Sequence, residues 1–230
     1  MEVFLVPVAP ARHELYSEQA DGGLTRETDA PATGLLGRAR LRFAEMLLTA
    51  ADRERAKREG RHVEPDGRLA RWRDGMTGWV AERVAEQRLH WSLRHIEAAE
   101  LVHADSQSSE AAMATVRAAL THDRRWHGRW AVVHGVLFVV SGALAVLPGP
   151  NLIAYYFAFR MVGHWLSRHG AAQGLSRVRW STRPSAELTE LAAALLDRPE
   201  GRRTRVLEVE RRLGLRDLAA FVERVRLRRA

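Results

Sequence analysis

The sequence predicts a predominantly all-α protein, built as a helical bundle or helical hairpins with a central apolar helical hairpin and a possible short N-terminal strand. Two observations support this fold class. Apolar residues recur at helical spacing along much of the chain, and residues 131–159 contain no Asp, Glu, Lys or Arg. The 230 residues are enough to bury a core, and the chain has no cysteine. Disulfides, thiolate metal sites, iron–sulfur clusters and a cysteine nucleophile are therefore excluded.

Residues 1–16 are predicted to form an extended N-terminal arm. Residues 3–8 read Val-Phe-Leu-Val-Pro-Val, which is typical of a short strand, although one strand alone cannot make a sheet. The segment does not resemble a signal peptide, because its apolar run is short and Glu2 stands where a basic residue is needed. Residues 17–34 are rich in Gly, Asp, Thr and Ala, and we predict a flexible linker there.

Residues 35–123 are predicted to be a helical region of three helices. The first spans residues 35–59, and the second runs from residue 66 to about residue 103. The third begins at the serines around Ser108 and reaches the basic segment that follows. Apolar residues lie on one face of each helix, so the three helices could pack as a bundle.

The net charge of the protein is concentrated in one region. The chain carries a formal charge of +8, and no Asp or Glu occurs between Asp123 and Glu187. Basic flanks around an apolar centre indicate a membrane segment, so residues 124–183 are predicted to form a basic-flanked membrane hairpin. The arginines of this region are Arg124, Arg125, Arg129, Arg160, Arg168, Arg177, Arg179 and Arg183.

A turn at residues 147–151 divides the apolar run into two helical arms. Proline cannot continue a helix, glycine tolerates positive φ, and asparagine can cap the next helix. The first arm, residues 131–147, would reach about 25 Å, close to the thickness of a thin hydrocarbon core. The turn residues are Pro148, Gly149, Pro150 and Asn151.

The basic flanks predict that both ends of the hairpin face the cytoplasm or its equivalent. This requires either two membrane crossings or a re-entrant pair of helices. The alternative is a buried helical hairpin in a soluble α-helical interaction protein, and Arg160, which interrupts the second arm, favours that reading.

Six residues form the predicted functional face of the hairpin. The aromatic members are placed as interfacial anchors, and Arg160 could extend to the interface, pair with a partner or mark a shallow loop. His134 could sense protons near neutral pH, or it could simply be hydrogen-bonded within the hairpin. His127, seven residues earlier, could share its helix face. The six residues are His134, Tyr155, Tyr156, Arg160, His164 and Trp165.

Residues 184–230 are predicted to be a C-terminal amphipathic helical region. Its arginines would suit a nucleic-acid-binding module, the third hypothesis, but eight acidic residues between positions 187 and 223 dilute them. A solvated helix face or contact with anionic lipid accounts for these arginines equally well.

No enzyme motif, metal site or cofactor site is predicted. No two of the ten histidines are three or four residues apart, and no HExxH motif is present. The glycines form neither a GxGxxG motif nor a phosphate-binding loop, and GxSxG is missing. We therefore expect a protein that is not an enzyme.

The centre of the chain resembles the mitochondrial K+/H+ exchange-related protein family, which also has bacterial members. The similarity is strongest over residues 131–172, and residues 3–7 with Tyr16 resemble the N-terminal segment of that family. The residues that carry the resemblance are Pro148-Gly149-Pro150-Asn151, Ala154-Tyr155-Tyr156, Phe159-Arg160, Gly163-His164-Trp165, Ser167 and Gly170-Ala171.

The resemblance implies a membrane-associated protein linked to K+ and proton exchange. Its location would be the mitochondrial inner membrane in a eukaryote or the cytoplasmic membrane in a bacterium. The apolar run lacks the carboxylates of a cation pathway, so an accessory protein fits better than the exchanger itself. Membrane lipid is the expected partner, together with a transporter or further copies of the chain.

Overall fold

A computed structural model describes residues 1–9, 11–18, 89–143, 152–196 and 199–227. These residues belong to one compact unit, made of Met1–Gln19 and Leu89–Ala230. A short helical turn, residues 89–93, precedes the third strand. In chain order the elements are β1 (Glu2–Ala9), β2 (Arg12–Tyr16), β3 (Ala98–Ala104), α1 (Ser109–Ala143), α2 (Leu152–Ser176), β4 (Arg179–Ser185), α3 (Ala186–Ala194), α4 (Pro199–Arg212) and α5 (Leu218–Leu227).

The strands form one mixed sheet in the order β2-β1-β3-β4. β1 and β2 are antiparallel and meet at a tight turn through Ala11, which has a φ of 57°. β1 runs parallel to β3, and β3 runs parallel to β4. The six residues between the ends of β1 are all buried, as expected for a strand covered on both faces. The N-terminal segment predicted as an extended arm therefore supplies two strands.

Helices cover both faces of the sheet. On one face the core contains side chains from β1, β3, α1 and α2, and on the other it contains side chains from β1, β3 and the three C-terminal helices. The first core includes Val3, Leu5, Leu101, Val116, Leu120 and Ala171. The second includes Phe4, Val6, Val102, Leu188, Leu191, Val206, Val209, Leu218 and Val222.

Glu18 ties the C-terminal layer to the strands. Its carboxylate accepts hydrogen bonds from the backbone N–H groups of Arg216 and Asp217, at 2.8 and 2.6 Å, just before α5 begins. A carboxylate at this position satisfies N–H groups that the helix leaves unpaired. Tyr16 of β2 donates a further hydrogen bond to Glu18.

The all-α prediction holds only in part, because the structure is mostly helical but contains a four-stranded mixed sheet. The sequence predicts helix up to about residue 103, whereas residues 98–104 form β3. Their sequence, AAELVHA, is rich in helix formers. Pairing with β1 and β4 overrides that local preference, since a central strand gains backbone hydrogen bonds on both sides and buries both faces.

α1 and α2 pack against each other as an antiparallel pair, which we call the helix pair. The alignment follows from contacts that join early residues of α1 to late residues of α2: Gly128 faces Arg168 and Gly135 faces Met161. Pro148, Gly149, Pro150 and Asn151, the predicted turn residues, lie outside the described residues. So do residues 19–88, which contain most of the predicted linker and helical region.

No helix in the described part of the chain is both long enough and apolar enough to cross a membrane. The predicted membrane-spanning hairpin is therefore not shown. α1 has 35 residues, but its first half is polar, with Arg124 and Arg125 among its residues, and packs beside the sheet. The apolar sequence starts only after Trp130.

Candidate functional site between two long helices

Four buried histidines lie together in and beside the helix pair, and we call them the histidine row: His90, His127, His134 and His164. Their exposures are 9, 6, 5 and 1%. His127 and His134 lie on α1, seven residues apart, which is close to two helical turns and places both on one face. His164 comes from α2, and His90 comes from the helical turn at residues 89–93.

The row is continuous from ring to ring. At its centre, Nδ1 of His127 lies 2.9 Å from Nδ1 of His164. The ring of His134 stacks on that of His164, with centroids 5.1 Å apart. The ring of His90 meets that of His127 edge-on at 5.5 Å.

A charged residue of opposite sign stands at each end of the row. At one end, Oδ2 of Asp123 lies 3.0 Å from Nε2 of His90. At the other, Nε of Arg160 is 3.5 Å from Nε2 of His134, a long and weak contact. The acidic end lies on the side of the helix pair nearest the sheet, and the basic end lies toward the apolar part of α1.

The tautomer of His134 follows from its two neighbours. Its Nδ1 lies 2.8 Å from the carbonyl oxygen of Trp130, which can only accept a hydrogen bond. Nδ1 therefore carries the hydrogen, and Nε2 faces the N–H of Arg160, which can only donate. Both contacts fit a neutral ring.

The pKa of His127 is lowered to about 4, chiefly by burial; the neighbouring His90 and Arg160 also lower it, while Asp123 opposes the shift. At neutral pH this ring is uncharged. A neutral His127 can share one hydrogen with His164 between their Nδ1 atoms, with either ring as the donor.

Two tryptophans border the row. The ring of Trp126 lies 4.9 Å from that of His127 and 5.4 Å from that of His164. The ring of Trp130 lies tilted against that of His134, with centroids 5.4 Å apart. Both tryptophans remain about 40% exposed, so each presents one side to the row and another to solvent.

A close backbone approach fixes the position of His90. A Cβ on Gly170 of α2 would lie 1.6 Å from the carbonyl oxygen of His90, so only glycine fits there. Trp91 adds a hydrogen bond from its Nε1 to Oγ of Ser167, at 3.2 Å. Together these contacts hold the helical turn at residues 89–93 against α2.

Around and beyond His134, α1 presents a run of exposed apolar side chains, which we call the apolar end. Val139 is 70% exposed and Val132 is 67% exposed. Large exposed apolar patches are typical of interaction surfaces. The apolar end consists of Val132, Val133, Val136, Leu137, Phe138, Val139 and Val140.

Of the predicted functional face, the structure brings His134, Arg160 and His164 together inside the helix pair. Trp165 and Tyr156 instead point outward, at 54 and 36% exposure, and Trp165 stacks on His169 at 5.8 Å. Tyr155 lies in the first turn of α2, and its side chain is outside the described part of the chain.

Sequence reasoning missed His90 and Asp123. The sequence marks Asp123 only as the last acid before the basic region, and the seven-residue spacing from His134 indicates only His127. His90 has no sequence signal, because a contact through Gly170 brings it to the row. Among the residues that the structure describes, no group of three or more His, Asp or Glu is arranged to hold a metal ion.

Fold and site together define a class of protein: a mixed sheet between helical layers, which supports a helix pair with a polar, histidine-lined interior and an apolar outer end. Residues 18–178 match the mitochondrial K+-H+ exchange-related family, and the chain belongs to that family. The family name relates the chain to K+/H+ exchange. No curated protein and no solved structure matches the chain.

Proposed function

We propose that this chain is a membrane-associated accessory protein of K+/H+ exchange, which docks on a lipid bilayer through the apolar end of its helix pair. The observation that carries the proposal is the exposure of seven large apolar side chains on α1. Moving such side chains out of water is favourable, by about 25 cal/mol per Å² of buried apolar area.

Charge and aromatic placement support a bilayer as the surface that covers the apolar end. Arg124, Arg125 and Arg129 are exposed on α1 just before the apolar sequence begins. Each basic residue near an anionic membrane surface contributes about 1 kcal/mol. Trp126 lies among these arginines and Trp130 directly follows them, in the position of interfacial aromatic residues.

An accessory role is favoured over transport by this chain alone. Between Asp123 and Glu187 there is no carboxylate, so the apolar part of the helix pair lacks the acidic groups that usually mark a cation or proton pathway. We propose that the partner is a transporter or further copies of this chain, in the bacterial cytoplasmic membrane or the mitochondrial inner membrane. We propose no enzymatic activity.

Flotation with vesicles tests the docking proposal. The full chain should float with vesicles that contain anionic lipid, and more weakly with neutral vesicles or at high salt, because salt screens the arginines. The double variant Val136→Asp with Val139→Asp should reduce vesicle binding at least tenfold, since charges in the acyl region are costly.

Leu207→Asp is the matched control, because Leu207 is an exposed apolar residue on α4, 45% exposed and away from the helix pair. It should leave vesicle binding unchanged. Failure of the unmodified chain to float with anionic vesicles, or an equal loss in the Leu207 variant, would overturn the docking proposal.

The same apolar end favours a second candidate function, a helical interaction protein in which another polypeptide covers these side chains. Light scattering without lipid distinguishes bilayer docking from protein interaction. A concentration-dependent dimer that the Val136 and Val139 substitutions dissociate, with no vesicle binding, would support the second candidate.

A further inference from the structure

We propose that the His127–His164 pair is a proton-binding site, and that occupancy of this site loosens the packing of α1 against α2. The proposal goes beyond membrane docking and can be tested without lipid. It rests on the donor and acceptor geometry of the row, on the burial of its members and on the charges that face it.

The contact between the two Nδ1 atoms has room for one hydrogen only. At 2.9 Å one nitrogen must donate and the other must accept, so two N–H groups cannot face each other there. A first added proton therefore goes to Nε2 of the donating ring, and the pair becomes a cation with a charge-assisted hydrogen bond. A second added proton removes the acceptor, and the two rings must then separate.

The surroundings make a positive charge costly at this position. His127 and His164 are 6 and 1% exposed. An imidazolium in such a site is stabilised by water, which reaches it when the helices move apart.

Charged and titratable groups face the pair from each element packed around it. α1 supplies Asp123 and His134, and the turn at residues 89–93 supplies His90. Asp123 is the one carboxylate among these groups, and it is already engaged by His90 at 3.0 Å. From α2, Arg160 approaches His134, and the side chain of Arg168 lies against Gly128, next to His127.

The balance of these groups gives the response a direction. His90 and Arg160 oppose a positive charge on His127, and Asp123 partly offsets them. Burial is the largest effect, and it also lowers the pKa of His127. Acid near pH 4 should therefore load the site at the expense of helix packing, and neutral pH should restore the closed pair.

Nitrogen NMR of the full chain with 15N-labelled histidine tests proton binding without a substitution. His127 and His164 should titrate as a coupled pair, with two midpoints separated by more than one pH unit. His169→Gln, which removes an exposed histidine of α2 outside the row, should leave these midpoints unchanged. Two independent titrations, each at the ordinary histidine pKa, would overturn the proposal.

Spin labels test the structural response. The chain has no cysteine, so Val139→Cys and Tyr156→Cys place labels at two exposed sites on opposite helices. The distance between labels should lengthen by several Å between pH 7.5 and about pH 4, and return on neutralisation. Added His164→Gln should abolish the change, and added His169→Gln should preserve it. A distance that is unchanged with pH, or that still changes after His164→Gln, would contradict coupling to the pair.

Discussion

Gly214 shows how one residue can end a helix and set the direction of the next. Its φ is +68°, in the left-handed region that side chains other than glycine adopt only at a cost. The N–H of Leu215 donates to the carbonyl of Glu210 at 2.9 Å, and the N–H of Gly214 donates to that of Arg211 at 3.1 Å. This pair of bonds is a Schellman motif, and it closes the C-terminus of α4.

Gly214→Ala should lower the free energy of unfolding by about 1 kcal/mol, because a Cβ penalises positive φ. No atom lies within 4 Å of that Cβ, so the cost comes from the backbone alone. Gly201→Ala is the matched control: it lies in α4 and is also open, and alanine should stabilise the helix there by up to about 1 kcal/mol. Urea unfolding measures both changes in the free energy of unfolding. If both substitutions changed it in the same direction, this account would be refuted.

At the scale of elements, the sequence predicts the start of α1 better than the strands. The serines near residue 108 and the apolar spacing after them indicate a helix, and α1 begins at Ser109. β4 gives no such signal, because its sequence RWSTRPS has little apolar content. It is a strand because it lies parallel to β3, with Arg183 paired to Glu100 of β3 and Glu2 of β1.

Helical periodicity predicts the α1 part of the candidate site, and Arg160 and His164 of the second arm are also predicted, but without their partners. The spacing of His127 and His134 is visible in the sequence, and both lie on one face of α1. The partners across the helix pair are set by the alignment of α1 with α2, which no local pattern encodes. His90 depends on a third segment, held by its approach to Gly170.

Gly170→Ala should separate the turn at residues 89–93 from α2, because the new Cβ would overlap the carbonyl of His90 and neither backbone can yield cheaply. We expect a loss of roughly 3 kcal/mol in the free energy of unfolding, at the upper end for overpacking. The control is Gly128→Ala on α1, whose Cβ would meet only the mobile side chain of Arg168 at 3.2 Å. A thermal shift no larger for Gly170→Ala than for Gly128→Ala would argue against this close approach.

At the scale of the whole molecule, charge and apolar surface are segregated. The sheet and its two cores occupy one part of the described fold, and five of the eight arginines of residues 124–183 lie on the helix pair. α1 extends about 30 Å from Leu120, which packs on the sheet core, to Val140. The family match at residues 18–178 covers β3 and the helix pair. β1, β4 and the C-terminal helices lie outside the matched residues and complete the sheet and its second helical layer.

This arrangement makes the stability of the whole molecule depend on pH through His127. Its pKa is about 4 in the folded chain, against an ordinary value of 6.5. Above pH 6.5 the ring is neutral in both states, and it contributes no pH dependence. Between pH 6.5 and pH 4 the unfolded chain binds a proton that the folded chain does not, so stability falls as pH falls.

The free energy of unfolding should therefore decrease by about 1.4 kcal/mol per pH unit in this window, and by about 3 kcal/mol in total, through His127 alone. Urea unfolding of the unmodified chain and of His127→Gln, at several pH values, isolates this contribution because other titrating groups are common to both. The variant should show the shallower slope, whatever its stability at neutral pH. If the free energy of unfolding fell equally steeply with pH in the two proteins, His127 would bind its proton equally well in the folded and unfolded chain. Burial in the row would then carry no energetic cost for protonating that ring.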